Sequence, residues 1–389
     1  MKEKKLGIYI HMPFCAQKCS YCSFVSGKYS EDVQREYINA LINELKTTSV
    51  NYKLQEVDTI YIGGGTPSML FLGGITTVIE AVKKYFKVSK IAEITVEGNP
   101  NSLTVSKLRE YKNVGVNRLS VGFQTYYNKH LKLLNRPHSK KDFISAIKNA
   151  KIVGFQNISA DLLLGVPTVP QKAVKKALKL MLKLGVKHVS SYGLILEENT
   201  PIFKQIKEGK LKAPNETLSN KCYDIVLKTL TKKGFYRYEV SNFAINGFES
   251  KHNLKYWNLE NYLGFGVSSH SCVDNVRYKN FDDVYEYINY YVKSKEENGQ
   301  FILPKPKYFD ERKIDKDEQK DEYIMLSLRT SQGISLIKFT EMFNEDLLKI
   351  KKKEIEELTK LKLIEITENN LKATKTGFEV LNQIILKLV

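Results

Sequence analysis

Three of the five cysteines, Cys15, Cys19 and Cys22, lie close together in the spacing C-x3-C-x2-C. Clustered thiolates bind zinc or iron–sulfur clusters, and structural zinc sites usually take four ligands from two paired units. No second cysteine pair follows, and His11 is a poor fourth ligand because Pro13 stiffens the path back. Three thiolates fit a [4Fe–4S] cluster in which one iron takes a small molecule instead of a protein ligand. The spacing therefore favours an iron–sulfur site over zinc.

Glycine-rich and charged motifs recur along the first half of the chain. Gly64, Gly65 and Thr66 belong to the segment GGGTP, where missing side chains let a backbone approach a ligand closely. Glu97 in EGNP can accept hydrogen bonds from hydroxyl groups, and the two-pronged fork of Arg136 in LNRPH suits a carboxylate. A structural role stays open for each of them. The GGGTP segment could be a strand-to-helix turn, Glu97 a surface carboxylate and Arg136 a partner in a salt bridge on a helix surface.

Six strands alternating with amphipathic helices must position these motifs. The pattern predicts strands at Leu6–His11, Thr59–Gly63, Glu93–Glu97, Arg118–Gly122, Ser159–Leu164 and His188–Leu194. The helices between them are predicted at Arg35–Leu45, Ile75–Phe86, Val105–Asn113, Asp142–Val153 and Lys172–Leu184. Such alternation indicates right-handed βαβ units and a parallel sheet, either a partial (β/α) barrel or an open doubly wound sheet.

The unusual residues follow successive strands of this predicted sheet. The cysteines come after the first strand, GGGTPS after the second, EGNP after the third and GFQ after the fourth, while Asp161 lies on the fifth. The carboxyl ends of parallel strands share one edge, where such folds gather their chemistry. The sequence therefore predicts one functional site at that edge.

The pattern changes after about residue 200. The segment Phe235–Phe243 predicts a strand and is followed by HNLKYW and by the glycine-rich YLGFGVSSHS. Residues 296–320 read as a polar linker, and from Asp321 onward helices and a short hairpin have winged-helix proportions. Because no aromatic and basic recognition face stands out, a packing or lid role is favoured over DNA binding for this last part.

Composition narrows the class of protein. The 389 residues are 42% hydrophobic and 27% charged, as expected of a globular chain with a sizeable core. The net charge of +18 is spread along the chain, so no nucleic-acid partner is predicted. Without 18 uninterrupted apolar residues no membrane span is expected, and the clustered cysteines indicate a reducing cytoplasm rather than a disulfide framework.

The motif CAQKCSYC resembles the radical S-adenosylmethionine (SAM) superfamily, in which SAM binds the open iron of a [4Fe–4S] cluster. The resemblance implies that Cys15, Cys19 and Cys22 hold the cluster and that Tyr21 packs over the adenine. It implies a SAM site formed by Tyr9, Tyr21, Gly64, Gly65, Thr66, Glu97, Gln124, Arg136 and Asp161.

HMPFCxxxCxYC, GGGTPS, EGNP, GFQ, LNRPH and DLLLG together resemble the oxygen-independent coproporphyrinogen III oxidase group. Its dehydrogenase branch is expected to carry a fourth cysteine where this chain has Phe24, and an N-terminal extension where only five residues precede Leu6. Its heme-chaperone branch is marked by HNxxYW, which matches residues 252–257. Imidazole and thiolate are both common heme ligands, so His252, His270 and Cys272 stay open as ligands to heme iron.

The resemblance implies a partial (β/α)6 TIM-type radical SAM barrel over residues 1–200, an α+β extension with HNxxYW over 201–305, and a small winged-helix-like domain over 306–389. The implied function is a cytoplasmic heme chaperone that passes heme to respiratory proteins, with cluster, SAM and heme as cofactors and no assigned catalytic residue. Peripheral association with the inner face of the membrane and a homodimer stay open. The alternative is an oxygen-independent coproporphyrinogen III dehydrogenase.

Overall fold

Strands and helices alternate through the first half of the chain in the computed structural model, which describes residues 5–292, 295–297 and 300–389. The elements are β1 (Leu6–Met12), α1 (Glu31–Thr48), β2 (Glu56–Gly64), α2 (Gly74–Tyr85), β3 (Lys87–Gly98), α3 (Val105–Asn113), β4 (Arg118–Gln124), α4 (Asn128–Leu133), α5 (Lys140–Ile152), β5 (Asn157–Leu164), α6 (Gln171–Lys183) and β6 (His188–Gly193). All six predicted strands and all five predicted helices are present, although β3 begins well before its predicted start and the short α4 was not predicted.

The second half is built from shorter elements. They are α7 (Pro201–Lys207), α8 (Glu216–Thr231), β7 (Tyr236–Arg237), β8 (Asn242–Ala244), α9 (Lys251–Trp257), β9 (Tyr262–Phe265), β10 (His270–Val273), β11 (Val276–Lys279), α10 (Val284–Val292), β12 (Lys295–Glu297), β13 (Gln300–Ile302), β14 (Phe309–Lys313), α11 (Lys316–Ser327), β15 (Ile334–Ser335), α12 (Leu336–Phe343), α13 (Leu347–Ile350), α14 (Lys352–Lys360), β16 (Ile364–Ile366), β17 (Asn370–Ala373), α15 (Lys375–Glu379) and α16 (Leu381–Leu388).

One large sheet organises the molecule, with strands in the order β14-β11-β10-β9-β1-β2-β3-β4-β5-β6-β8-β7. Strands β1 to β6 pair in parallel with their sequence neighbours, which confirms the α/β partial-barrel fold class. Strand β9 also pairs in parallel with β1, with Gly7 opposite Tyr262. The second half of the chain therefore extends the parallel sheet beyond β1.

The two faces of the parallel sheet differ in polarity. Ile60, Leu119 and Ile158 belong to the main hydrophobic core. Alternate positions carry polar side chains instead, among them Arg118 and Ser159, which are buried. Since side chains of a strand alternate between its faces, the apolar set packs in the core and leaves a polar inner face for a site.

Two predictions for the second half are wrong. The segment Phe235–Phe243 is not one strand, because β7 and β8 form an antiparallel hairpin within it. The predicted linker over 296–320 contains β14, which pairs with β11 at the edge of the large sheet, and the start of α11. β14 has the sequence FDERK, and charged side chains are typical of edge strands because they discourage pairing with another chain. Because most of its residues are charged, the sequence of this edge strand is typical of a polar linker.

The C-terminal elements have a hydrophobic cluster of their own, which includes Ile324, Phe339, Leu371 and Ile384. Their sheet has three antiparallel strands in the order β15-β17-β16. A small sheet with helices is the arrangement expected of a winged-helix-like unit, and the domain boundaries stay predictions. None of the described helices is long and apolar enough to cross a membrane.

Candidate functional site

The loop after β1 brings Cys15, Cys19 and Cys22 to one cavity of about 330 Å³. All three thiols are free. Among the described residues no three His, Cys, Asp or Glu side chains surround one point closely enough to hold a single metal ion. A [4Fe–4S] cluster accepts more widely separated thiolates because each binds a different iron.

The end of β2 holds the start of the cysteine loop through backbone hydrogen bonds. Gly65 N donates to Met12 O at 2.8 Å, and Thr66 N donates to Phe14 O at 2.7 Å. The Thr66 hydroxyl lies 3.4 Å from the Cys15 sulfur. The GGGTP segment is therefore a structural partner of the cysteine loop as well as part of the cavity wall.

The glycines of this segment are required by close neighbours. Gly64 has a φ of 101°, and a Cβ atom on it would overlap the His11 ring. A Cβ atom on Gly65 would lie 2.7 Å from Met12 O. The sequence predicted a close approach between this backbone and a ligand, and the structure shows that the end of β1 makes a close approach to the same glycines.

The LNRPH segment holds the middle of the loop from the other side. Ser20 N donates to Leu134 O at 3.1 Å, and Arg136 Nη1 donates to the Cys19 sulfur at 3.2 Å. Burial alone would lower the pKa of Arg136, but Tyr21 and Cys19 raise it, so the guanidinium stays charged. Its Nε is buried without a hydrogen-bond partner among the described residues. Arg136 thus places a permanent positive charge beside the thiols.

Glu97 and Asp161 are half-buried carboxyl groups in the cavity wall. Glu97 Oε1 accepts a hydrogen bond from the Tyr61 hydroxyl at 2.6 Å, and Asp161 Oδ1 accepts one from Ser120 at 3.2 Å. Burial raises the pKa of Glu97 to about 7, the Tyr61 hydrogen bond opposes this, and the charge of Asp161 adds to it. Burial also raises the pKa of Asp161. A cationic ligand such as SAM would favour the ionised forms of both groups.

Gln124 also lines the cavity, in a left-handed backbone conformation with a φ of 66°. Its Oε1 accepts a hydrogen bond from the Tyr192 hydroxyl at 3.1 Å. Tyr192, at the end of β6, and Asn99 line the same cavity and were missed by sequence reasoning. Asn99 belongs to the EGNP motif and its Oδ1 is buried without a partner among the described residues, so the motif itself was the available signal.

The two tyrosines predicted for the SAM site separate in the structure. Tyr21 lines the cavity with the cysteines. Tyr9 lines a neighbouring cavity of about 330 Å³ instead, together with Phe24 and His270. The Tyr9 hydroxyl is hydrogen-bonded to His11 Nδ1 at 3.1 Å. Phe24 is 63% exposed and lines both cavities, so it separates them.

The three candidate heme ligands also lie apart. His252 is buried, with Nδ1 2.9 Å from the Thr59 hydroxyl and Nε2 2.8 Å from the Tyr256 hydroxyl. Burial lowers its pKa to about 3. His270 is exposed beside the Tyr9 cavity, and Cys272 lines a third cavity of about 1030 Å³. Both His252 nitrogens are engaged, and its role as heme ligand stays a prediction.

The donor set at the cysteine cavity fits a [4Fe–4S] cluster and SAM. Three free thiols, a half-buried guanidinium and two half-buried carboxyl groups converge on this cavity. Two buried polar atoms there, Arg136 Nε and Asn99 Oδ1, have no hydrogen-bond partner among the described residues. Buried polar atoms are normally satisfied, so these point to a polar ligand.

Comparison with known proteins shows the family. Residues 9–181 match the radical SAM superfamily, and residues 314–380 match the HemN C-terminal domain. The heme chaperone HemW of Lactococcus lactis is 32% identical over 389 residues, covering 100% of this chain and 98% of that protein. The heme chaperone HemW of Bacillus subtilis is 34% identical over 370 residues, 95% of each chain.

A solved structure shows the same fold. Coproporphyrinogen III oxidase (HemN) from Escherichia coli, described as a radical SAM enzyme, matches 99% of this chain and 90% of its own with a TM-score of 0.84 and 19% identity. The solved structure shows the fold, and the full-length similarity to the two bacterial proteins places the chain in the HemW family of the radical SAM superfamily.

Proposed function

We propose that this protein is a heme chaperone that binds heme and passes it to heme-requiring respiratory proteins. The observation that carries the proposal is the similarity over the whole chain to the L. lactis protein named heme chaperone HemW. Phe24 supports it, because the dehydrogenase branch is expected to have a cysteine at this position.

Within this proposal, Cys15, Cys19 and Cys22 hold a [4Fe–4S] cluster and the surrounding wall holds SAM. When bound, the cluster supplies an open iron site for SAM and a source of single electrons. Arg136 offsets the negative charge of the thiolates through its contact with Cys19. Glu97 and Asp161 line the same cavity and would accept hydrogen bonds from SAM and offset its positive charge.

An anaerobic hemin titration of the cluster-reconstituted protein tests the proposal. We expect saturable binding, followed by transfer of heme to the apo form of a respiratory heme enzyme, which gains activity faster than with free hemin at the same concentration. The matched control is the same protein without hemin. Absence of saturable binding would overturn the chaperone function.

The alternative, an oxygen-independent coproporphyrinogen III dehydrogenase, uses the same cluster and SAM site. Incubation of the reconstituted protein with coproporphyrinogen III, SAM and a reductant separates the two functions. We expect no protoporphyrinogen IX, and its formation at a catalytic rate would establish the dehydrogenase instead.

The proposed location is the cytoplasm, with acceptor proteins at the inner face of the membrane. The net charge of +18 supports contact with an anionic surface, because a basic protein is attracted to anionic lipids. Flotation with anionic and with neutral vesicles tests this, and equal recovery with both would count against a membrane role.

A further inference from the structure

The cavity of about 1030 Å³ that contains Cys272 lies at the end of the sheet opposite the cysteine loop. It is lined at the amino ends of β1 and β2 by Lys5 and Glu56, and by the end of α9, the β10–β11 hairpin and helices α11 and α12. Cavities for drug-sized ligands have volumes of about 300–1,000 Å³. This one therefore has room for a large ligand, whereas the cavity beside His270, of about 330 Å³, lies at the lower limit.

The wall of the large cavity suits a flat apolar ring system. Tyr256 and Tyr262 form an edge-to-face pair with ring centroids 4.7 Å apart, and both line the cavity. Ile314, Leu326 and Met342 add apolar surface from the C-terminal part of the chain. Aromatic and aliphatic side chains of this kind bury the faces of a porphyrin.

The cavity also contains a thiol that can bind iron. Cys272 lines it and is half-buried. Arg277 lies beside the thiol and is held by Glu322, with two nitrogen–oxygen distances of 2.8 and 3.2 Å. Burial raises the pKa of the free thiol and the guanidinium lowers it, so a thiolate formed on iron would have a cation next to it. Thiolate is an established axial ligand of heme iron.

Lys338 is a second cation of the cavity wall, in addition to Arg277. Lys338 Nζ donates to Asn258 O at 3.2 Å and lies 5.3 Å from the centre of the Tyr323 ring, and the nearby carboxylate of Glu260 also lines the cavity. Burial lowers the pKa of Lys338 and the charge of Glu260 opposes this, and an anionic ligand beside it would likewise favour the charged ammonium. Heme carries propionate groups at one edge of an otherwise apolar ring. Arg277 and Lys338 offer cations to them from a wall that also contains the tyrosine pair and the carboxylates of Glu56, Asp58, Glu260 and Glu322.

The HNLKYW segment contributes to this cavity without offering its histidine to iron. Both ring nitrogens of His252 are hydrogen-bonded, one of them to the Tyr256 hydroxyl at 2.8 Å. Tyr256 in turn lines the cavity. His252 is thus a positioning residue that fixes an aromatic part of the wall.

We infer that the heme cargo binds in this cavity, with the Cys272 sulfur on the iron and Lys338 on a propionate. The inference rests on the proposed heme chaperone function and names the site of its cargo. As the iron–sulfur bond forms, the thiol proton leaves to solvent and the iron remains ferric.

Hemin titration of cluster-reconstituted protein, followed by absorption and magnetic circular dichroism, tests the iron ligand. We expect the wild type to show a thiolate-ligated spectrum and Cys272→Ala to lose it. Mutating a residue that only hydrogen-bonds to a metal ligand weakens metal binding by roughly tenfold to hundredfold. Loss of the ligand itself should raise the hemin dissociation constant by at least this factor. The matched control is Cys222→Ala, which removes the buried thiol of α8 and should leave spectrum and affinity unchanged.

The outcomes separate this inference from the proposed function. Wild-type affinity and spectrum in Cys272→Ala, with intact cluster iron and far-ultraviolet circular dichroism, would overturn the site while the chaperone function stands. A nitrogen-ligated spectrum in the wild type would also overturn it. Failure of the wild type to bind hemin would overturn the function itself.

A second comparison tests the propionate contact with hemin and hemin dimethyl ester as probes. Lys338→Gln should weaken hemin binding about tenfold, as expected for loss of a charge-assisted hydrogen bond, without altering the ligand spectrum. The ester lacks the carboxylates, so wild type and variant should bind it equally. Unchanged hemin affinity in Lys338→Gln would contradict this contact.

Discussion

At the scale of single residues, charge is arranged around the cysteine cavity in two opposed sets. The Arg136 guanidinium lies 3.2 Å from the Cys19 sulfur, on the side where anionic thiolates must gather. Glu97 and Asp161 line the part of the cavity formed by β3 and β5. An anionic cluster and a cationic sulfonium ligand would therefore each face a group of opposite charge.

Each thiol of the cysteine loop should be indispensable for the cluster. We expect Cys15→Ala, Cys19→Ala or Cys22→Ala to lose the cluster, because the two other cysteines lie outside this cavity. Iron and sulfide content after anaerobic reconstitution measures this. A full complement of iron in any of these variants would remove that cysteine from the ligand set.

Glu97 should control SAM affinity and its pH dependence. Its pKa lies near 7, raised chiefly by burial, so the carboxylate is a pure acceptor above about pH 7 and becomes protonated below it. The contribution of Glu97 to SAM affinity should therefore be largest well above pH 7 and fall as the pH drops through 7 towards 5. Glu97→Gln should weaken binding by roughly 1.5–3 kcal/mol, the value of a hydrogen bond to a charged group, and reduce the pH dependence, with Asp161 left as a titrating carboxyl group of the wall.

Calorimetric titration of SAM into cluster-loaded protein at several pH values measures both effects. Glu93→Gln is the matched control, because Glu93 lies on the same strand and outside the cavity. A Glu97→Gln variant with wild-type affinity would exclude Glu97 from the SAM site.

At the scale of elements, the site depends on how neighbouring elements hold each other. The end of β2 binds the loop that leaves β1, and α9 is fixed to β2 through His252 and Thr59. Both junctions connect segments that are distant in the chain. Small changes at either junction should therefore disturb packing as well as ligand binding.

Replacing Gly64 by Ala tests the junction of β1 and β2. The φ of 101° strains any L-residue, and the added methyl group would overlap the His11 ring. Gly73→Ala is a matched control, because its φ is 92° and a Cβ atom there would meet no atom of the described residues within 4 Å. We expect Gly64→Ala to be destabilised more than the control by about 1–3 kcal/mol, the usual cost of overpacking. Chemical denaturation measures the difference, and equal destabilisation would contradict the close approach.

His252 should stabilise the junction of α9 and β2 in its neutral form. Its folded pKa of about 3 lies below its unfolded value of 6.5, so the unfolded state binds more protons between these limits. Its contribution is complete above pH 6.5 and is lost as the pH falls towards 3, by about 1.4 kcal/mol per pH unit. The stability difference between wild type and His252→Asn should shrink from pH 7.5 to pH 5 in urea denaturation, and a constant difference would contradict a buried neutral histidine.

At the scale of the whole molecule, two cavities lie at opposite ends of one parallel sheet. The cysteine cavity lies at the carboxyl ends of the strands, and the Cys272 cavity lies at the amino ends of β1 and β2. Among the residues that the structure describes, none lines both cavities. The cavity beside His270, in contrast, shares Ser23 and Phe24 with the cysteine cavity.

This separation predicts that SAM and heme bind together. With heme in the Cys272 cavity, saturating SAM should leave the hemin dissociation constant unchanged within about twofold, because the ligands do not compete for space. Hemin titration with and without SAM measures this. Competition between the two would instead indicate heme beside the cysteine cavity.

The local sequence determined the strands and helices of the first half of the chain and the edge of the sheet that carries the cysteine cavity. The periodicity of apolar residues predicted the six parallel strands and their helices, since a half-buried element needs that pattern wherever it lies. The cysteine spacing and the motifs after each strand predicted one shared edge, and all but Tyr9 of the SAM residues predicted by the resemblance line that cavity.

Only the tertiary structure decided how distant segments meet. β9 pairs with β1, and the polar segment FDERK pairs with β11 as an edge strand. The residues of a strand do not by themselves determine which other strand it pairs with. The structure also decided that His252 is enclosed by Thr59 and Tyr256 while Cys272 faces a large cavity. Strand pairing and burial depend on contacts between residues far apart in the chain, and the pattern of any one segment does not contain them.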